Sequence, residues 1–325
     1  MFKIWKITTL AVTFLFLIFV WLYFLGFSAD QPGSFYNKGN NAVWLGHEWV
    51  GVYKTDSQIQ KLVETFRKHD IKTVFVHSGP FEKDGGVEEN GYAFATNFIE
   101  KAKKFDKEIQ YQAWLGQIRG KIDLNDREVR HNMAKQAFIF TQLVGFDGVH
   151  FDIEPVWDGD TNFIELLKET KNMIPKNKKM SVALAEFIPK NFLWIANHFK
   201  PLENYNTEVI YKNVARYADQ IITMTYDTSL DKEWKYIWLV MEQTIRVTSL
   251  LDGKEVFIGL PAYQYDEKKD WFDPEVENIR TGLLGVTRGL NHFRSETDNF
   301  QGVAIYPFWE IDENEWQIYD DIWLK

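Results

Sequence analysis

The 325-residue chain has no cysteine, which excludes disulfide frameworks, thiolate metal sites and cysteine nucleophiles. It also lacks any block of clustered Lys and Arg, and 37 Lys+Arg against 46 Asp+Glu leave a formal net charge of −9. Nucleic acid is therefore not an expected partner, because its phosphates demand clustered cations. No candidate strand is followed by G-x-G-x-x-G or a P-loop, which argues against nucleotide-binding folds. G-x-S-x-G is missing too, and with it the serine-triad signature. His47, His77 and His150 do not form a His-x-x-x-His pair, so neither a metal nor another cofactor is expected. Internal repeats and low-complexity tracts are absent. What the chain has in excess is aromatic side chains, 16% with 13 Trp, 14 Tyr and 26 Phe. Flat apolar faces suit sugar rings, although filling a core accounts for most of them. The 45% hydrophobic and 26% charged fractions are those of a folded globular protein.

One long hydrophobic run is present. Ile7–Phe27 holds 21 residues without a charge, enough at ~1.5 Å per residue to cross a hydrocarbon layer of ~30 Å. Lys3 and Lys6 precede it and Asp30 follows it, so the positive-inside rule keeps residues 1–6 in the cytoplasm and exports the rest. The expectation is a single-pass transmembrane signal anchor over 7–27, a cell-membrane location and an extracytoplasmic domain. Secretion after cleavage near Gly26-Phe27-Ser28 is the alternative, disfavoured because the run exceeds a usual signal core. Residues 28–41, rich in Gly, Asn, Ser and Asp, read as a linker.

From 42 to 325, short β-branched and aromatic runs alternate with helical periodicity. The pattern predicts strands at Ala42–Leu45, Thr73–His77, Ile109–Trp114, Gly148–Glu154, Met180–Ala185, Gln220–Tyr226, Val256–Leu260 and Gly302–Tyr306. It predicts helices at Ser57–Lys68, Ala93–Phe105, Arg127–Val144, Phe163–Met173, Trp234–Leu250 and Glu275–Phe293. Asp56 and Asn125 or Asp126 are candidate N-caps. Eight alternations describe a single α/β domain, a (β/α)8 TIM barrel preceded by the transmembrane helix, with an open doubly wound sheet as the alternative.

Barrel chemistry sits at the C-terminal ends of strands. The fourth strand reads Gly148-Val149-His150-Phe151-Asp152-Ile153-Glu154. Residues two apart share a face, so the apolar set faces the helices and two carboxylates and an imidazole enter the barrel. Burying ionised carboxylates costs several kcal/mol unless they are paired. Neighbouring like charges also split their pKa values, which lets one carboxyl remain a general acid near neutral pH. A polar network without chemistry is the alternative reading.

These residues carry a resemblance. Asp147-Gly148-Val149-His150-Phe151-Asp152-Ile153-Glu154 resembles the D-G-x-D-x-D-x-E signature of glycoside hydrolase family 18, the chitinase-like barrels. Met224-Thr225-Tyr226-Asp227 is similar to that family's M-x-Y-D element, and Gly259-Leu260-Pro261-Ala262-Tyr263 to its G-L-P-x-Y. The resemblance implies retaining hydrolysis of a β-glycosidic bond next to an N-acetylglucosamine-type sugar, with the acetamido oxygen of the substrate as nucleophile. It implies Glu154 as general acid and base, Asp152 as the anion beside the oxazolinium, Tyr226 as donor to the acetamido oxygen, and Asp227 as a subsite residue. His150, Trp114, Tyr263 and Trp309 are further candidate substrate contacts. His47, Glu48, His77 and Glu186 stand at rim positions, while Trp194, Trp234 and Trp238 fit core packing.

The departures are specific. His150 stands where the family has its middle Asp. Gln112-Ala113-Trp114-Leu115-Gly116-Gln117 replaces S-x-G-G, and Tyr306 stands where Trp is common. The short Gln264–Asp273 connection implies an open, shallow cleft. The expected partner is a polysaccharide or peptidoglycan-like glycan containing an N-acetylated amino sugar, and the expected activity a membrane-anchored glycosidase. The alternatives are a silent barrel that binds a glycan or a protein, and a hydrolase for a different polysaccharide.

Overall fold

The computed structural model describes Thr9 and residues 11–18, 31–188, 206–264 and 272–325. The strands are β1 (Asn41–Leu45), β2 (Ile71–His77), β3 (Gln110–Ile118), β4 (Gly148–Glu154), β5 (Lys179–Ala185), β6 (Gln220–Met224), β7 (Glu255–Pro261) and β8 (Phe300–Tyr306). The helices that follow them in turn are α1 (Asp56–Lys68), α2 (Ala95–Phe105), α3 (Arg127–Phe138), α4 (Thr161–Met173), α5 (Glu208–Val214), α6 (Glu233–Leu250), α7 (Ile279–Leu290) and α8 (Glu313–Tyr319). All strand pairs are parallel, and β8 closes on β1 through Ala42–Ala304 and Val43–Ile305. The molecule is a (β/α)8 barrel, not an open sheet.

The elements differ from the sequence expectation mainly at their ends. β3 runs on from Trp114 to Ile118. The helix expected to reach Val144 leaves the α geometry at Phe138 and finishes as a π-helical turn over Ile139–Val144. Thr55, not Asp56, caps α1, through a capping box with Gln58. Asp126 caps α3, its side chain accepting from the Glu128 N–H. Such side chains satisfy helix-end N–H groups that otherwise lack partners.

Period-two alternation builds two packing layers. On β1, Val43 and Leu45 join the layer between sheet and helices, while Ala42 and Trp44 point into the barrel. The barrel interior combines large rings, Trp44, Phe75, Trp114 and Phe257, with small residues such as Ala42, Ala183 and Ala304. Large opposite small fills a narrow barrel without voids. On α6, Tyr236, Ile237, Val240 and Met241 form the buried stripe. Trp234 and Trp238 lie outside that stripe and are 67% and 56% exposed, which corrects their assignment to the core. Trp194 lies outside the described residues.

Among the described residues no helix is long and apolar enough to cross a membrane. Of the 7–27 run only Thr9 and 11–18 are described, and these are helical. The segment read as a linker is docked to the barrel from Gln31 onward. Gln31 exchanges two hydrogen bonds with the side chain of Asn291, and the Tyr36 hydroxyl donates to the same side chain.

Candidate active site

β4 presents Gly148, His150, Asp152 and Glu154 inward, and Val149, Phe151 and Ile153 to the helices. At its base Gly148 has no room for a side chain, since a Cβ would lie 2.4 Å from the Lys179 carbonyl oxygen. Asp147, the first residue of the motif, stays below the barrel mouth: it accepts from the Tyr111 N–H and pairs with Lys103. Pairing with β3 places Trp114 beside His150, Gly116 beside Asp152, and Ile118 beside Glu154.

The carboxylates of Asp152 and Glu154 line a cavity of about 330 Å³ at the C-terminal end of the barrel, with Trp44, Glu186, Tyr226, Asp227 and Tyr306 around them. Trp114 Nε1 donates to Asp152 Oδ2 at 2.9 Å. Burial pushes both acids upward, Glu154 to about 8 with the Asp152 charge adding to the rise. The indole donor opposes the rise at Asp152. Two carboxyls in one pocket cannot both ionise cheaply. The indole hydrogen bond to one of them favours placing the charge on Asp152 rather than on Glu154. Asp152 Oδ1 is buried without a hydrogen-bond partner among the described residues.

The other expected residues gather on the same end. Tyr226, just past β6, stacks on Tyr306 from the end of β8, with centroids 5.3 Å apart. Tyr263, past β7, stands edge-on to both rings and bonds to Asp227. Asp227 has φ 59°, a left-handed turn that a short polar side chain tolerates. Trp309 is 48% exposed and meets Tyr306 edge-on at 5.8 Å, so part of its face is open at the rim. Trp114 is buried, and its polar edge is committed to Asp152. That makes it a partner of Asp152 beneath the cavity, whose lining does not include Trp114.

His150 requires a correction. It is completely buried, stacked on Phe75 at 3.9 Å, and does not line the cavity. Trp44 Nε1 donates to His150 Nε2 at 3.0 Å. An indole N–H can only donate, so the imidazole proton sits on Nδ1 and faces Ser181 Oγ at 2.7 Å. The chain continues in one direction, Ser181 to Gln112, Gln112 to Gln220, and Gln220 to Glu255. Burial lowers the His150 pKa to about 3 and keeps the ring neutral. His150 thus lies in the floor of the barrel, and the cavity is lined instead by Trp44, which no motif marked. Its place as an inward residue of β1 was the one signal available.

Acidic residues accumulate on the β5–β7 side. Glu186 lines the cavity, and burial pushes its pKa to about 7. Glu277, unremarked in the sequence, is fully buried and accepts from the Thr228 N–H and hydroxyl, which fixes the turn carrying Asp227. His47 and His77 meet at 5.8 Å, and His77 is held near a pKa of 4 by burial and by His47. Among the described residues no group of three or more potential metal ligands converges. Most of the connection after β7, residues 265–271, lies outside the described residues, as does the cleft depth inferred from it.

The same barrel recurs in solved structures. The spore cortex-lytic enzyme SleL of Bacillus cereus is 11% identical, with 86% of this chain and 73% of that chain covered at a TM-score of 0.60. A class V chitinase from Pseudomonas fluorescens is 15% identical over 88% of this chain and 99% of its own, TM-score 0.59. The family 18 chitinase from Cycas revoluta, solved with allosamidin, is 13% identical over 87% and 99%, TM-score 0.59. At such identities the likeness is one of fold. No curated protein matches the chain in sequence. The sequence model of glycosyl hydrolases family 18 matches residues 52–323, and the chain belongs to that family.

Proposed function

We propose that the protein is a membrane-anchored, extracytoplasmic glycoside hydrolase that cleaves β-glycosidic bonds next to N-acetylglucosamine-type sugars with retention. The observation that carries this reading is the carboxyl pair at the end of β4, Asp152 held by an indole donor and Glu154 beside it in the same cavity, with desolvation and the Asp152 charge raising the Glu154 pKa. Glu154 protonates the leaving glycosidic oxygen as the bond to the anomeric carbon breaks. The substrate's acetamido oxygen closes on that carbon, and Asp152 takes the acetamido N–H and offsets the oxazolinium charge. Tyr226 donates its hydroxyl to the acetamido oxygen. Glu154, now a carboxylate, removes a proton from the water that reopens the ring and so regains its acid form. Trp44 and Tyr306 supply the apolar walls of the sugar pocket, and Trp309 an open face at the rim.

Chitin-like polymers and peptidoglycan both contain the required acetamido sugar. The likeness to chitinases and to a spore cortex-lytic enzyme supports that substrate class. The uncharged run Ile7–Phe27 supports the anchor, which holds the barrel at the outer membrane face, where such polymers lie.

Hydrolysis of N-acetylglucosamine oligomers and peptidoglycan fragments tests the reaction, with a thiazoline mimic of the oxazolinium as inhibitor. Cleavage with retained anomeric configuration and thiazoline inhibition is expected. Binding of these glycans without any turnover would make the protein a silent glycan-binding barrel. Protease added outside intact cells should reach the domain, and complete protection would reverse the orientation.

A further inference from the structure

A second cavity, of about 430 Å³, opens on the same end of the barrel between the turns that follow β3 and β4. Strand register places it beside the acid. β3 ends at Ile118, the partner of Glu154 across the sheet, and Arg119 is the next residue. Trp157 comes three residues after Glu154, and Asp160 caps α4. The first cavity draws on β1, β4, β5, β6 and β8, whereas this one lies on the β3 side of β4, with Lys83 from the turn after β2. A glycan whose acetamido sugar fills the first cavity therefore directs its leaving group across Glu154 toward the second.

The polar groups of this cavity are incompletely used. Arg119 Nη2 donates to Asp160 Oδ1 at 3.0 Å, and the guanidinium lies over the Trp157 ring at 5.2 Å. Arg119 Nη1 and Asp160 Oδ2 are buried, and neither has a hydrogen-bond partner among the described residues. The Asp160 side chain is only 2% exposed. An unused buried donor and an unused buried acceptor on one ion pair are costly. A hydroxyl group, which both donates and accepts, matches them. Lys83 and Lys121 stand exposed on the lining, and neither is in an ion pair among the described residues. Of the two carboxylates on the lining, Asp123 and Asp160, the second is already matched by Arg119. The first cavity, by contrast, is lined by Asp152, Glu154, Glu186 and Asp227 and no cation.

We infer that the second cavity binds the leaving-group sugar when that sugar carries a carboxylate, with its hydroxyls at Arg119 and Asp160 and its carboxylate at Lys83 and Lys121. The leaving-group assignment rests on the glycosidase reading; the preference for an acidic sugar rests on the cavity alone. The probe is a β-linked disaccharide of N-acetylglucosamine and N-acetylmuramic acid, titrated by calorimetry into the full chain carrying Glu154→Gln, beside its methyl ester. The acid should bind about tenfold more tightly than the ester, the scale of one charge-assisted contact, and salt should erode the difference. Lys83→Met with Lys121→Met should bring acid and ester to equal affinity; both lysines are exposed, so the fold is not at stake. Equal binding of acid and ester before that change, a preference that survives it, or no binding of either would overturn the inference. Acid-selective binding in a protein that hydrolyses no glycan would refute the glycosidase reading and leave the cavity's preference standing.

Discussion

Trp114 Nε1 lies 2.9 Å from Asp152 Oδ2, and the glycine two residues further along β3 makes room for that approach. A Cβ on Gly116 would come within 3.2 Å of the indole nitrogen and 3.1 Å of the Asp152 carbonyl oxygen. In the family pattern an aspartate at the position of His150 accompanies the second acid; here the indole from the neighbouring strand holds it.

Trp114→Phe keeps most of the ring and removes the donor. Asp152 then loses the larger of the two hydrogen bonds that oppose its upward shift, the other coming from Glu154, so its pKa rises further. The acidic limb of kcat/KM on N-acetylglucosamine oligomers should move to higher pH, with about a tenfold loss at neutral pH, the scale of one hydrogen bond to a charged group. An unmoved limb would detach Trp114 from the chemistry.

Glu154→Gln removes the transferable proton, so turnover should fall at least ~10²-fold. It also has a stability signature. The folded pKa of Glu154, about 8, lies above its ordinary value near 4.5, so wild-type stability is highest below pH 4.5 on this account and falls as pH rises toward 8. The variant should therefore melt higher than wild type at pH 8 and no higher at pH 4. Thermal melts at the two pH values decide it, and equal differences at both would remove the raised pKa.

His150→Asp, which sequence comparison alone marks as a harmless return to the family residue, should instead destabilise the barrel by about 3 kcal/mol. It strands the Trp44 and Ser181 bonds, removes the Phe75 contact and puts a carboxylate in a closed interior. Urea unfolding at pH 7 measures the change. Unchanged stability would show that the interior admits water.

A chain beginning at residue 31 should fold, and one beginning at 41 should melt about 5 °C lower. The longer form keeps the Gln31 and Tyr36 bonds to Asn291 and the close seat of Gly33 against Ile322 and Trp323. Circular dichroism melts of the two compare them directly.

Trp309→Ala should raise KM for oligomers about threefold or more and leave the melting temperature nearly unchanged, because the ring is half exposed and meets Tyr306 edge-on. A fall in kcat with constant KM would place Trp309 closer to the reacting bond.

Which residues share a face was legible in the sequence, because side-chain direction along a strand repeats every two residues whatever the strand packs against. That periodicity gave the inward set Gly148, His150, Asp152 and Glu154, and eight alternations gave the barrel. The motifs placed Tyr226, Asp227 and Tyr263 at the same end. Depth within the barrel was not legible, because it depends on the stagger between neighbouring strands. Only the pairing of β4 with β3 and β5 put His150 one layer below the cavity, beside Trp114 and Ser181, while Asp152 reached the mouth beside Gly116. Closure of β1 between β2 and β8 carried Trp44 to the same end, and the register with β3 set Ile118, the residue before Arg119, opposite Glu154. Helix rotation was lost for a related reason: spacing within the helix marked Trp234 and Trp238 as core, but a helix buries the stripe that meets the sheet, and theirs is the other face. Local chemistry fixed which groups the chain offers, and closure of the barrel decided which of them meet.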